Sequence, residues 1–164
     1  MSNAFIYRMP AGIPGDVSRK EMSKIEPHLF DASYPCLEFG IPVKIVSGKI
    51  RPMATGDTGQ PYGFLVRPYP SMMASSEAVG TATPDVTHMA DVLRSGYMTV
   101  KNYEGAPADG GAVYYRSQAG SPAGDQGHVT AENEGSPTTS IAITGAYFMG
   151  AEDSNGNVEI SFNV

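Results

Sequence analysis

From residue 41 onward the chain alternates apolar and polar positions in short runs bounded by turn residues, the pattern of half-buried β-strands. Val43-Lys44-Ile45-Val46 is followed by Ser47-Gly48 and then Lys49-Ile50-Arg51, a spacing that predicts a tight hairpin. Tyr62 to Val66 forms the next run and stops at Arg67-Pro68. In Tyr97 to Lys101, Met98 and Val100 share one face while Tyr97 and Thr99 share the other. Ala112 to Arg116 follows Gly110-Gly111, and Ile141 to Thr144 and Ala146 to Met149 come after it. The turn Asn155-Gly156-Asn157 introduces Val158 to Phe162, which alternates cleanly. Seven or eight short strands in sequence-adjacent hairpins predict a sandwich, jelly roll or small barrel.

Residues 1–40 show no sustained period and are punctuated by Pro10, Gly12, Pro14, Gly15, Pro27 and Pro35. One short helix is expected there, capped by Ser18 with Glu21 completing a capping box and ended by Pro27. The segment is too apolar for a linker, given Phe5, Ile6, Tyr7, Ile25, Leu29 and Phe30, and is expected to lie extended on a surface. Val86, Met89, Ala90 and Leu93 follow helical spacing behind Thr83 and Pro84, yet a strand from Met89 to Arg94 fits equally well. Residues 71–84, 105–111 and 117–137 read as loops.

Composition narrows the class. Glycine (19) and proline (13) are 32 of 164 residues, about 20% against a usual ~12%, which excludes a mostly helical chain. With 41% hydrophobic content, 9 Tyr and 6 Phe, the chain has too much apolar surface to stay unfolded. No apolar run follows a basic segment at the start, so no signal peptide is expected. The uncharged run from Gly135 to Ala151 is broken by Ser136, Pro137, Thr138, Thr139, Ser140 and Gly145, so no membrane span is expected.

The net charge of −6 falls entirely in residues 101–164, where two basic residues stand against eight acidic ones; residues 1–100 carry nine of each. That sign argues against a nucleic-acid partner and makes the acidic part a solvated, repulsive face. Cys36 is the sole cysteine, so an internal disulfide is excluded and a buried, inert thiol is expected.

Candidate chemistry is sparse. Asp153 to Glu159 spaces oxygen ligands at alternate positions as calcium loops do, but its glycine comes too early and the same residues make good turns. His28, His88 and His128 stand far apart, without the spacing of a zinc site. No nucleophile elbow, phosphate-binding loop or dinucleotide fingerprint is present. No enzymatic activity, cofactor or metal is expected. Arg67-Pro68-Tyr69-Pro70 beside Met72-Met73 places common interface anchors on a rigid segment, and Tyr7-Arg8-Met9-Pro10 has the same character.

Several blocks in order carry a resemblance. They are Ser2 to Arg19, Gly40-Ile41-Pro42-Val43-Lys44, Tyr62 to Pro70, Arg94-Ser95-Gly96-Tyr97-Met98-Thr99-Val100, Ala146-Tyr147-Phe148-Met149-Gly150 and Asn155 to Ile160. Across nearly its whole length the chain resembles the structural cement, or capsid decoration, proteins of tailed phages. The resemblance implies a non-enzymatic protein with a jelly-roll or small-barrel fold that binds outside the assembled head as a symmetric oligomer. It also tips residues 89–101 toward strand.

The expectation is therefore an all-β protein: a single small β-barrel or jelly-roll-like domain at residues 41–164 with an extended, largely irregular N-terminal docking arm at 1–40. Its expected partners are the major capsid protein and itself, as homodimer or homotrimer, with no nucleic acid and no membrane. It would be made in the bacterial host cytoplasm and act on the outer surface of the virion. The expected contacts are Tyr7, Arg8, Arg19, Lys20, Arg67 and Tyr69. Two rival readings are a glycan-binding module of a phage tail or fibre, with tyrosines as stacking platforms, and a small β-barrel hydrolase whose site is assembled from scattered Asp, His and Ser.

Overall fold

The fold turns on one long strand shared by two sheets. The computed structural model describes residues 11–54, 56–68, 83–117, 127–133 and 140–164. A 3-10 turn at Lys20–Met22 precedes nine strands: β1 (Lys24–Phe30), β2 (Pro42–Val46), β3 (Lys49–Pro52), β4 (Gly63–Val66), β5 (Met89–Lys101), β6 (Ala112–Arg116), β7 (Val129–Thr130), β8 (Ser140–Phe148) and β9 (Asn157–Phe162). Their order is β1-β3-β2-β4-β5-β9-β8-β6-β7, and β1 also pairs with β5. That extra pairing closes β1, β3, β2, β4 and the first half of β5 into a ring, the small-barrel architecture expected.

The second half of β5, Gly96 to Lys101, pairs with β9 instead. From there the sheet runs through β8 and β6 to β7, and a parallel bridge between Asn102 and Val129 brings β7 back to the end of β5. Each lobe has its own core. Phe30, Cys36, Ile41, Val43, Ile50, Leu65, Ala90 and Val92 fill the ring. Phe64, Val66, Leu93, Met98, Val100, Tyr115, Phe148, Ile160 and Phe162 are among those filling the second lobe.

β4 and β5 thus bury both faces, with Leu65 turned to one core and its neighbours Phe64 and Val66 to the other. This two-sided burial is why the stretch from 86 to 93 mimics helical spacing: its apolar run does not alternate. It is strand from Met89 onward, and Val86–Thr87 is a turn in which Asp85 Oδ1 accepts from the Thr87 N–H at 2.8 Å.

Elsewhere the local expectations meet tertiary pairing with mixed outcomes. The Ser47-Gly48 hairpin forms, with φ of 52° and 78°, the doubly positive geometry of a type I′ turn. The expected helix behind Ser18 is one 3-10 turn without a side-chain cap, because the Ser18 hydroxyl donates to Glu159 instead. Pro27 ends nothing; it lies within β1, opposite Asp91 of β5. The two expected runs on either side of Gly145 are one strand, β8, in which Gly145 takes a φ of 78°. Val129–Thr130 pairs with β6 inside the stretch expected to be loop. Cys36 is buried as expected, and burial pushes its thiol up to about 12.

Two glycines are there because backbones pass too close for a side chain. A Cβ on Gly63 would overlap the Leu93 carbonyl oxygen and stand 2.6 Å from Val92 Cγ1. Gly96, at φ +132°, would drive a Cβ to 2.9 Å from Ser23 Cα. Gly63→Ala is expected to cost on the order of 3 kcal/mol. A drop in thermal midpoint of roughly 10 °C by calorimetry would show it, at ~2–4 °C per kcal/mol for a chain this size; an unchanged midpoint would refute the close β4–β5 packing.

Candidate functional site

The N-terminal segment is fastened along β5 on the side opposite β9. Gly15 N–H donates to the Thr99 carbonyl at 2.8 Å, Thr99 N–H to Asp16 O at 2.9 Å, and Ser18 N–H to Tyr97 O at 3.1 Å. Arg67 N–H donates to Gly15 O at 2.8 Å, tying the same segment to the end of β4. Gly15 makes this approach possible: at φ +91° a Cβ would lie 2.6 Å from Phe39 Cβ. Further up the chain, Thr99 Oγ1 donates to Ala11 O at 2.5 Å, and Asp153 Oδ2 accepts from Ala11 N–H at 3.4 Å.

Where this segment meets β1, β4 and β5 it leaves a crease of about 520 Å³. Val17, Ile25, Val66 and Pro68 give it apolar walls, Lys20 and Arg67 bring positive charge, and Asp16 and Asp91 bring negative charge. An adjoining hollow over the 3-10 turn shares Val17 and Lys20 with it and is lined also by Arg19 and Met22.

Of the six contact residues expected from sequence, the structure gathers Arg19, Lys20 and Arg67 around these two hollows. Tyr7, Arg8 and Tyr69 lie outside the described residues. Arg19 is held in place although its side chain is 45% exposed: Nη2 donates to Glu159 Oε2 at 3.0 Å, and the guanidinium lies 3.9 Å over the Tyr97 ring. The hydrogen bond to Glu159 raises the Arg19 pKa further above its already high ordinary value. Arg67 is placed by its backbone bond to Gly15 and lies 6.0 Å from the Phe39 ring centroid. Lys20 is exposed on the 3-10 turn.

Sequence reasoning missed the arrangement of β1, which is inside out. Ile25, Pro27 and Leu29 face solvent, with Ile25 42% and Leu29 55% exposed, while Glu26 and His28 are half-buried. Of these two, Glu26 is met by polar partners, whereas the buried His28 Nε2 has no hydrogen-bond partner and its ring stands edge-on to Tyr62 at 5.2 Å. Tyr62 Oη donates to Glu26 Oε2 at 2.5 Å, and Arg94 stacks 3.6 Å over the Tyr62 ring. The hydrogen bond from Tyr62, together with Lys24, holds the Glu26 carboxyl below the usual carboxylate range. On the outer face Met89, 61% exposed and opposite Leu29, continues the apolar surface away from the crease.

No group of three metal-ligating side chains occurs among the described residues. The Asp153 loop uses its carboxylate as a turn does, accepting at Oδ1 from the N–H groups of Asn155 at 2.8 Å and Asn157 at 2.9 Å.

The family model of the XM1 gp53 minor capsid protein matches residues 1–162. The chain belongs to this minor capsid protein family. The match spans both lobes and the N-terminal segment. A chain in the solved structure titled "The capsid of Myoviridae Phage XM1" aligns at TM-score 0.69 over 99% of this chain and 97% of its own length, with 20% identity. No curated protein matches. Membership places this chain among phage capsid components and favours a structural, non-enzymatic role.

Asp153 supplies a pH test of the fastened segment. Burial raises its pKa, but the N–H groups of Asn157, Asn155 and Ala11 outweigh burial and hold it below the ordinary 3.8. Its contribution is present above that ordinary value and is lost as pH falls through the lowered one. Protection of the Asn155 and Asn157 amides, read as exchange relative to the unstructured rate at the same pH, should therefore fall below about pH 3.8 in the parent protein. In Asp153→Asn the protection should already be low at neutral pH; pH-independent protection in the parent would contradict the assignment.

Proposed function

We propose that this minor capsid protein is a cement, or decoration, protein that binds the outside of the assembled phage head and bridges major capsid protein subunits. The observation that carries the reading is the inside-out strand β1. It exposes Ile25, Pro27 and Leu29 in a line that runs into a crease rimmed by Lys20 and Arg67. Contiguous exposed apolar surface with a polar rim is the signature of a protein-binding face. Fully covering one such side chain is worth roughly 1.5–3 kcal/mol.

In this reading residues 1–40 are the docking part and residues 41–164 the body, even though β1 also completes the ring. Tyr7, Arg8, Arg19, Lys20, Arg67 and Tyr69 are the contacts. A fixed Arg19 and a fastened segment 11–19 lower the ordering cost of docking. Touching more than one capsid subunit would turn modest contacts into tight binding through effective concentration. The acidic part, residues 101–164, would face solvent, and self-association as a homodimer or homotrimer would add further contact. Synthesis in the host cytoplasm and placement on the outer capsid surface belong to the same proposal.

Co-sedimentation with capsids lacking the protein tests it. Saturation at a fixed ratio to capsid subunits, with a raised capsid melting temperature, is expected. Lys20→Ala/Arg67→Ala and Leu29→Asp should each weaken binding about 10- to 100-fold while leaving the thermal midpoint of the free protein unchanged. No pelleting with intact, expanded capsids would overturn the cement role.

A further inference from the structure

Strand β8 ends its pairing with β9 at the rung Ala146–Phe162, and the Asn163 N–H donates to Gly145 O just beyond it. Upstream, on the same side, the backbone meets a side chain instead of a strand. Gln60 Nε2 donates to Ala142 O at 3.0 Å, and Gln60 Oε1 accepts from Thr144 N–H at 2.7 Å. The carboxamide thus imitates one rung of a ladder. In an antiparallel ladder the N–H and C=O of a residue point to the same side, which would turn the Ala142 N–H and the Thr144 carbonyl to this edge too.

Of the usual safeguards the edge has one, the irregularity at Gly145 (φ 78°) where β8 shifts register against β6, and it lacks charge and proline. Natural edges are blunted by charge, proline or bulges. Here every residue of β8 is uncharged, within an uncharged run from Gly135 to Ala151, although the whole chain carries −6. The side chains of Ala142 and Thr144 are exposed, whereas Ile143 points into the core.

We propose that this edge of β8 pairs antiparallel with the same edge of a second copy, about a two-fold axis through Ile143. Ala142 of each copy then stands opposite Thr144 of the other. The outward groups form four backbone hydrogen bonds, two for each Ala142–Thr144 pair, and Gln60 is displaced from both copies. A second copy is the fitting occupant because the donor and acceptor order on the edge is complementary to itself under a two-fold, and no charge opposes the approach. The inference rests on the self-association in the cement reading and gives it a surface; its test needs no capsid, so the two fail separately.

Sedimentation velocity over a concentration series tests it. The parent protein should dimerise reversibly, and Gln60→Ala, which removes the competing carboxamide, should lower the dissociation constant about 3- to 10-fold. Ala142→Lys/Thr144→Lys places lysines directly opposite one another and should weaken dimerisation at least about 10-fold. Ala142→Glu/Thr144→Lys sets each glutamate against a lysine and should restore it. Hydrogen exchange at the amides of residues 142 and 144 should slow as dimer forms. Dimerisation indifferent to the lysine pair, or a monomer at every concentration for both parent and Gln60→Ala, would overturn the proposal. So would loss of capsid binding by a lysine-pair variant whose parent never dimerises, which would assign the edge to a capsid strand.

Discussion

Everything in this molecule hangs on β5 being two strands in one. Its first half closes the small ring between β1 and β4, and its second half carries β9 and the other lobe. The change of partner happens at Gly96, where the φ of +132° and the contact with Ser23 leave no room for a side chain. A bend at that residue lets one continuous backbone serve two sheets without an interdomain linker. The lobes share hydrogen-bonded backbone and the flanking strand β4, whose alternate residues enter opposite cores. The crease is walled by β1, β4 and the first half of β5 together with the segment hydrogen-bonded to β5, so backbone pairing holds its walls in place.

That rigidity gives the exposed apolar face its meaning. A strand with Ile25, Pro27 and Leu29 outward and Glu26 and His28 inward reverses the ordinary pattern, and burial of the carboxylate is tolerated because Tyr62 and Arg94 meet it. An arrangement optimised for the free protein alone would put the aliphatic residues inside and the charges out. Under the proposed cement role the inversion would serve a surface to be covered, and the fastened segment beside it would supply fixed cations. Arg19 illustrates the point: between Glu159 and the Tyr97 ring its guanidinium has lost most of its rotamer freedom before any partner arrives.

How much of this was legible in the sequence follows from the range of the interactions concerned. The Ser47-Gly48 hairpin, the alternation of Val158 to Phe162 and the Tyr62–Val66 strand are settled within a few residues, and they stand where the pattern put them. β1 was hidden because Pro27 reads as a breaker and its outward apolar residues carry the wrong phase for a solvated strand. β7 is two residues long, too short to show any period. The proposed docking face was legible only in its parts: Arg19, Lys20 and Arg67 were visible as interface residue types, but Glu159 lies 140 positions from Arg19, and local pattern carries no information about such a pair. The ring's closure is of the same kind, since it depends on β1 meeting β3 and β5 at once.

Closure also explains where strand edges remain. A ring removes edges, and the bridge from Asn102 to Val129 does much the same for the second lobe. One edge that stays open among the described residues is the first part of β8, and there the chain spends a glutamine side chain to imitate a missing strand. A carboxamide satisfies one donor and one acceptor, yet unlike a charge it repels nothing and is displaced without leaving an ion buried. A lysine at Ala142 or Thr144 would have protected the edge outright. Proteins concentrated side by side on a particle experience a high effective concentration of their own kind, so an unguarded edge would cross-link them at random. In the proposed dimer, a reversible cover on a short, uncharged edge would instead limit pairing to one geometry, the two-fold that matches the edge to itself.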